Sequence, residues 1–279
     1  MKTGIIDVGG GSRGIYGAGV LDRCIDENIV FNYAAGVSAG SANCASYCAG
    51  QKGRNFVFYT DYAFRPEYMG FGNLRKTGSF IGLDYIYSDL SNSAGEYPLN
   101  YEKMISSPTD FEIVATNAET GEAVYFNKTD MEKDRYDIIK ASCCVPFVNL
   151  PYIIGGVPYY DGGISDPVPF ERAFMQGCDK VVIILTKPVD AVLSNSRNSF
   201  AAKMLEKKYP AAANKTKSCN EVYLESVAKA LELQNRGKVL IIAPDDIGGL
   251  KTLSKDVSVL KKLYIKGYHD ARKIKEFIC

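Results

Sequence analysis

The sequence predicts an α/β fold with three layers, α/β/α, around a central and mostly parallel sheet. Three observations carry this expectation. Short apolar runs alternate with amphipathic segments along the chain. Two of those runs pass through a glycine-containing turn directly into a helix-like stretch. The longest clean apolar runs, Val181–Leu185 and Val239–Ala243, are strand-sized and far short of the roughly eighteen residues of a membrane span.

Gly4–Val8 reads as a buried strand, followed by a glycine loop and a helix from about Arg13 to Glu27. Tyr33–Val37 is a second strand, leading into a helix over Ala39–Ala49. Phe111–Thr116 and Ala123–Phe126, joined through Glu119-Thr120-Gly121, form an antiparallel hairpin. Met131–Cys144 reads as a helix that stops before Pro146. Val181–Leu185 and Val239–Ala243 are core strands, with helices near Val222–Gln234 and Val257–Phe277. Between 55 and 107 the periodicity weakens while Tyr, Phe, Gly and Ser accumulate, which marks an insertion or a lid over a site. Ser194–Ser218 reads as a polar, Lys-rich connector.

A chain of 279 residues and 30.6 kDa without an inter-domain linker fits one domain over 1–279. Area scaling gives roughly 12,000 Å² of folded surface against roughly 44,000 Å² unfolded, enough burial for a core without staples. Net charge is +1, so no overall field attracts nucleic acid. The balance is nonetheless uneven: residues 1–200 carry 17 basic and 23 acidic side chains, the remainder 16 and 9. The basic, helical portion over 195–279 is either a solvated surface or a face that rests transiently on anionic lipid. Met1-Lys2 runs straight into Gly4-Ile5-Ile6 without a signal-like apolar core, so a cytoplasmic protein is expected, with peripheral contact at the inner membrane surface as the variant. The eight cysteines contain no Cys-x-x-Cys, and Cys143 and Cys144 are adjacent; all are expected to be reduced. With one histidine, no metal site and no cofactor are expected.

Two segments point to chemistry. Asp7-Val8-Gly9-Gly10-Gly11-Ser12-Arg13-Gly14 lies between a strand and a helix, where glycines allow unusual backbone angles and free N–H groups face an anion. Gly36-Val37-Ser38-Ala39-Gly40 has the nucleophile-elbow pattern, a sharp strand-to-helix turn that projects a serine hydroxyl. The bland alternative makes Ser38 a helix cap. Either pattern arises by chance in about one chain in five or six of this composition; both in the required setting reduce that to a few per cent.

A serine nucleophile needs a base. His269 lies opposite the apolar stripe Val257, Leu260, Tyr264, Gly267, Ala271, Ile274 and Ile278, among Lys262, Lys266 and Lys273, as a surface residue would. That leaves a carboxylate. Asp161 in Asp161-Gly162-Gly163 follows a strand-like segment and sits on a glycine turn, unless that tripeptide is only a hairpin turn. Asp166 competes, but Asp166-Pro167 reads better as a helix cap before Pro at the first helical position.

Taken in order, Gly9–Gly14, Gly36–Gly40 and Asp161–Gly163 resemble the three signature elements of the patatin-like phospholipase family, in its bacterial single-domain form. Ala141-Ser142, Pro146-Phe147 and Ile164–Pro169 resemble its connecting segments, and the likeness extends to Ile242-Ala243-Pro244 and Tyr264–Tyr268. The resemblance implies a serine acyl hydrolase acting on lipid or other acyl esters. Ser38 would be the nucleophile and Asp161 its base, with the oxyanion held by backbone N–H groups of Gly10–Ser12. Arg13 takes the family's basic position in the loop. It would orient the loop or attract a phosphorylated head group, or else make a first-turn salt bridge. Residues 60–105 are the least family-like, and substrate choice is expected there.

Two other readings stand beside this one. A Rossmann-like protein could use Gly9–Gly14 on a dinucleotide, but the second strand runs into Ser38 where the ribose-binding carboxylate belongs. A lipid-binding pseudoenzyme could keep the fold without turnover, though Ser38, Asp161 and the glycine loop are all intact.

Overall fold

A computed structural model describes all residues, Met1–Cys279. In chain order the elements are β1 (Thr3–Asp7), α1 (Ile15–Asp26), β2 (Tyr33–Val37), α2 (Ala39–Cys48), α3 (Arg54–Thr60), α4 (Phe71–Thr77) and α5 (Tyr101–Ser106). There follow β3 (Asp110–Asn117), β4 (Ala123–Asn127), α6 (Asp137–Ser142), β5 (Tyr152–Ile154), β6 (Val157–Asp161), α7 (Phe170–Met175) and β7 (Lys180–Ile184). The chain closes with α8 (Ser196–Leu205), α9 (Pro210–Asn235), β8 (Val239–Ile242), α10 (Val257–Asp270) and α11 (Lys273–Ile278).

The five strands β3-β2-β1-β7-β8 are parallel, and β4, β5 and β6 add antiparallel pairings. Strand side chains alternate between faces, which splits the core in two. Ile5, Ala34, Val182 and Ile184 meet α1, α2 and α10 on one face. Ile6, Ala35, Val181 and Ile183 meet α7 and α9 on the other. The three-layer expectation is thus met, and the accessible surface of 12,089 Å² agrees with the scaling value.

The antiparallel strands matter most for the site. β2 pairs with β3 as far as Val37–Val114, and β6 takes over on β3 at Ala115–Asp161. Both overlap β4 in register, and β4 occupies the opposite edge of β3, so β2 and β6 share one edge. They run towards each other and meet end to end. The residue after β2 is Ser38, and the last residue of β6 is Asp161.

Several elements differ from the sequence reading. The helix expected over Met131–Cys144 is confined to Asp137–Ser142. Ahead of it, Asp134 adopts φ 62° and its carboxylate accepts from Ser93, pinning a turn where a helix would continue. The expected connector Ser194–Ser218 is instead α8 and the start of α9, a helix of 26 residues. Its buried side contains Ala212, Ala213 and Thr216, too weakly apolar to print a helical period on a Lys-rich sequence. The helix expected over Val257–Phe277 breaks into α10 and α11, although its apolar stripe continues across the break through Ala271 and Ile274. Asp161-Gly162-Gly163 is not a hairpin turn. That turn is Gly155-Gly156 between β5 and β6, with φ 57° and 84°.

The C-terminal third is built into the same core. α10 crosses α1 at a double glycine contact: a methyl group on Gly19 would overlap the Tyr264 carbonyl, and one on Gly267 the Tyr16 carbonyl. Three tyrosine hydroxyls tie the pair, Tyr16 to Asp270 at 2.7 Å, Tyr264 to Asp22 at 2.6 Å and Tyr268 to Asp26 at 2.6 Å. All eight cysteines are unpaired, and Cys44 and Cys48 are buried.

Candidate active site

Ser38 occupies the turn between β2 and α2 with φ 55° and ψ −131°, a backbone conformation that costs an L residue about 1–3 kcal/mol. The surroundings hold it there. Its N–H donates to Ser142 Oγ at 2.9 Å, and its carbonyl accepts from the Ser41 N–H and from Ser41 Oγ at 2.6 Å. Gly36 and Gly40 serve by close approach rather than by unusual angles. A methyl on Gly36 would overlap the Ser41 backbone, and one on Gly40 the Asp7 carbonyl. The Ser38 side chain makes no helix-cap bond, so the capping alternative fails.

The glycine loop supplies donors. Gly9, Gly10 and Gly11 all have positive φ, at 64°, 111° and 61°. Asp7, fully buried at the end of β1, accepts from the Gly9 N–H at 2.9 Å and from Asn43 Nδ2 at 2.8 Å. Burial pushes the Asp7 carboxyl up to about 6 against those two hydrogen bonds. Asn43 also donates to the Gly14 carbonyl at 2.8 Å, and Thr186 Oγ1 donates to the Gly9 carbonyl, clamping the loop from both sides. The N–H groups of Gly10 and Gly11 have no acceptor in the protein. The Ser12 N–H is spent on the Thr252 carbonyl at 2.8 Å, which corrects the expectation that Gly10–Ser12 would all be available.

Asp161 is 8 % exposed. Its N–H donates to the Cys144 carbonyl at 2.8 Å and its carbonyl accepts from Thr116 Oγ1 at 2.8 Å, fixing the end of β6. One carboxylate oxygen accepts from the Gly163 N–H at 2.8 Å. Burial raises the carboxyl to about 6, while the Ser38 side chain and the Gly163 N–H act in the opposite sense by hydrogen bonding to it. Asp166 is elsewhere: it accepts from the Tyr125 hydroxyl at 2.5 Å. It is not the helix cap expected, since α7 begins at Phe170 after Pro169. His269 is exposed and far from this constellation in role, at the end of α10. No three His, Cys, Asp or Glu side chains converge as metal ligands.

Two cavities open on Ser38. One is mostly apolar, about 80 Å³, and walled by Phe58, Tyr59, Met69, Leu83, Ile86 and Tyr87. The stretch where substrate choice was expected thus forms its wall, and Phe56 turns away to stack on Tyr264. The other, about 160 Å³, is polar and joins Ser38, Asp161, Gly10 and Gly11 to Arg13, Lys187 and Tyr223. Arg13 forms no ion pair, so the salt-bridge reading of that residue is overturned; Lys187 and Tyr223 line the same cavity. A wider opening of about 570 Å³ lies outside Asp161, lined in part by Phe147, Ala201 and Thr252. Sequence reasoning missed Asn43, Ser142, Thr186 and Thr252. Thr186 and Thr252 lie far from the motifs in sequence, and the roles of Asn43 and Ser142 depend on which atoms they meet rather than on their spacing.

This is the architecture of an α/β acyl-hydrolase-like protein with an elbow serine and a glycine loop. The family model for patatin-like phospholipases matches residues 8–174, so the chain belongs to the patatin-like phospholipase family. A second model, for a domain of unknown function (DUF6363), matches residues 209–278. An uncharacterized protein of Escherichia coli K12, YjjU, is 29% identical over 192 residues, covering 67% of this chain and 52% of that protein. The chain therefore spans about half the length of that relative. VipD from Legionella pneumophila, a solved structure, aligns over 99% of this chain and 67% of its own at a TM-score of 0.52 and 14% identity, a likeness of fold. No helix is long and apolar enough to cross a membrane.

Proposed function

We propose that this protein is a serine acyl hydrolase that cleaves fatty-acyl esters of lipids, using Ser38 and Asp161 as a dyad and the whole of 1–279 as one working unit. The observation that carries the reading is the end-to-end meeting of β2 and β6, which sets a strained Ser38 against a buried Asp161 carboxyl beside two unspent N–H groups. A substrate carbonyl oxygen would accept from Gly10 and Gly11. Asp161 would take the Ser38 proton as Oγ bonds to the carbonyl carbon, and the negative charge on the oxygen would be held by the loop. Collapse breaks the ester C–O bond, with the proton passing from Asp161 to the departing alcohol. Water then attacks the acyl-Ser38 carbonyl, giving its proton to Asp161, and the acid leaves as Ser38 regains its hydrogen. A carboxyl near 6 is a better base at neutral pH than one near 4, and burial is the cause.

The acyl chain would enter the apolar cavity and the alcohol portion would face Arg13. Phe147, which lines the wider opening, and Phe200 are both more than half exposed, and their rings meet edge to face at 4.9 Å. They support brief contact with a lipid surface by this rim.

Labelling with a fluorescent fluorophosphonate tests the dyad, together with hydrolysis of a short p-nitrophenyl ester. Labelling and turnover in the wild type, lost in Ser38→Ala and Asp161→Asn with circular dichroism unchanged, are expected. A folded wild type that is neither labelled nor active would overturn the reading.

A further inference from the structure

We propose that Arg13, Lys187 and the Tyr223 hydroxyl form an anion subsite on the polar side of Ser38, built to take a phosphate group, and that Lys187 and Tyr223 are specificity-determining residues. The proposal rests on Ser38 being the nucleophile and goes beyond it, because Lys187 and Tyr223 lie outside the matched segment 8–174. Lys187 follows β7, and Tyr223 comes from the middle of α9.

The argument is one of missing partners. Buried cations are normally paired with carboxylates, and buried polar atoms with hydrogen-bond partners. Arg13 and Lys187 are half-buried, and neither has an ion-pair partner, although fourteen ion pairs occur elsewhere in the molecule. Arg13 Nε and the Tyr223 hydroxyl are both buried without a partner, and Tyr223 is 7 % exposed. The Lys187 ammonium lies over the Tyr223 ring at 4.1 Å, its one close contact of note. Burial and the nearby Arg13 charge draw the Lys187 ammonium down to about 8, and burial also lowers Arg13. No carboxylate appears among the charges that act on either cation.

Other polar groups on that wall are already committed. Thr186 donates to Gly9, and the Asn220 amide donates to the Ser194 carbonyl at 3.2 Å and to Asn195 Oδ1 at 2.7 Å. The one carboxylate there, Asp161, accepts from the Gly163 N–H at 2.8 Å. What remains is two cations and a hydroxyl around a cavity of about 160 Å³ that also reaches Ser38 and the donors of Gly10 and Gly11. A tetrahedral oxyanion bearing several acceptors satisfies such a set. A phosphate attached to the alcohol side of an acyl ester would sit there while its ester carbonyl reaches Ser38.

The test has a binding arm and a kinetic arm. Inorganic phosphate is titrated calorimetrically into the Ser38→Ala protein, alone and combined with Lys187→Met or Tyr223→Phe. In parallel, wild type, Lys187→Met and Tyr223→Phe are assayed on a glycerophospholipid and on a diacylglycerol of the same acyl chains in mixed micelles. A roughly tenfold loss of phosphate affinity in Lys187→Met, and a few-fold loss in Tyr223→Phe, is expected. A tenfold fall in the ratio of kcat/KM for phospholipid over diacylglycerol assigns the subsite to a lipid head group. Loss of phosphate affinity at a constant ratio assigns it to free phosphate instead, and either result supports an anion subsite. If the Ser38→Ala protein has no measurable affinity for phosphate and the ratio does not move in either variant, the proposal is wrong. The binding arm needs no turnover, so its outcome is separate from the fate of the Ser38 reading, which fluorophosphonate labelling decides. Should Lys187→Met fail to fold, Tyr223→Phe, which removes one buried oxygen, still reads both arms.

Discussion

The two sides of Ser38 are built on opposite principles. On the apolar side, segment 54–87 closes a cavity of about 80 Å³ with Phe58, Met69, Leu83 and Ile86, and its single buried arginine is held by the protein. Arg54 donates through its two terminal nitrogens to Ser46, Ser91 and the Tyr97 carbonyl, leaving only Nε without a partner, and lies over the Phe58 ring at 4.3 Å; the Arg13 side chain makes no hydrogen bond at all. On the polar side, Arg13 and Lys187 have no such partners. One arginine completes a wall; the other leaves hydrogen-bonding capacity facing a cavity. The difference teaches that a buried cation signals function only when its hydrogen bonds are not already spent.

The strongest way to break the comparison is at the boundary itself. Asp161→Asn removes the proposed base that both sides share, and a loss of about 10³-fold in ester hydrolysis is expected. The same substitution removes a buried charge that burial disfavours. The melting temperature at pH 8 should therefore rise or hold while activity falls, as calorimetry on the variant would check. A variant that melts earlier would mean that the carboxylate stabilises the fold.

Next in size is the joint between α1 and α10. Gly267→Val places side-chain atoms into the Tyr16 carbonyl, where α1 and α10 cannot separate without losing three tyrosine–aspartate bonds. A destabilisation of about 3 kcal/mol or more is expected in urea unfolding. A smaller effect extends to the apolar side. A cavity of about 80 Å³ is well below the roughly 300–1,000 Å³ of ordinary ligand sites, so it limits the acyl chain. Met69→Ala should move the preferred p-nitrophenyl ester to longer chains, by about tenfold in relative kcat/KM. An unchanged chain-length profile would place the acyl group elsewhere.

The smallest expected effect is on stability against pH. Asp7, Asp22 and Asp161 all have carboxyls raised to about 6 by burial. Each is held more tightly by its proton when folded, so its contribution is fully present below about pH 4 and is lost as pH rises through about 6. Between pH 8 and pH 5 the melting temperature should climb by a few degrees unless other groups offset it. Activity should move the other way, falling as Asp161 takes up its proton, and a pH–rate profile beside a pH–melting profile separates the two.

Much of this molecule could be read from the chain. β2 begins and ends where the apolar run Tyr33–Val37 does, and the hairpin of β3 and β4 follows its Thr120-Gly121 turn, because strand period and turn chemistry are local. Ser38 and the three glycines are likewise legible, since backbone angles near φ +60° leave a signature in residue type. Reading failed where the signal was not local. The first half of α9 was obscured by a lysine-rich surface over a buried face of Ala212, Ala213 and Thr216, while its second half is the helix read near Val222–Gln234; Met131–Tyr136 was bent by a carboxylate contact with Ser93 forty-one residues away.

The sequence by itself determined the core strands, the strand-to-helix turn at Ser38 and the glycine loop, because glycine geometry and hydrophobic period act within a few residues. Only the tertiary structure decided that β6 meets β2 head-on, that Thr252 consumes the Ser12 N–H, and that Lys187 and Tyr223 stand without partners beside Arg13. Those facts depend on which donors and acceptors are left over once distant segments pack, and that remainder is a property of the whole fold.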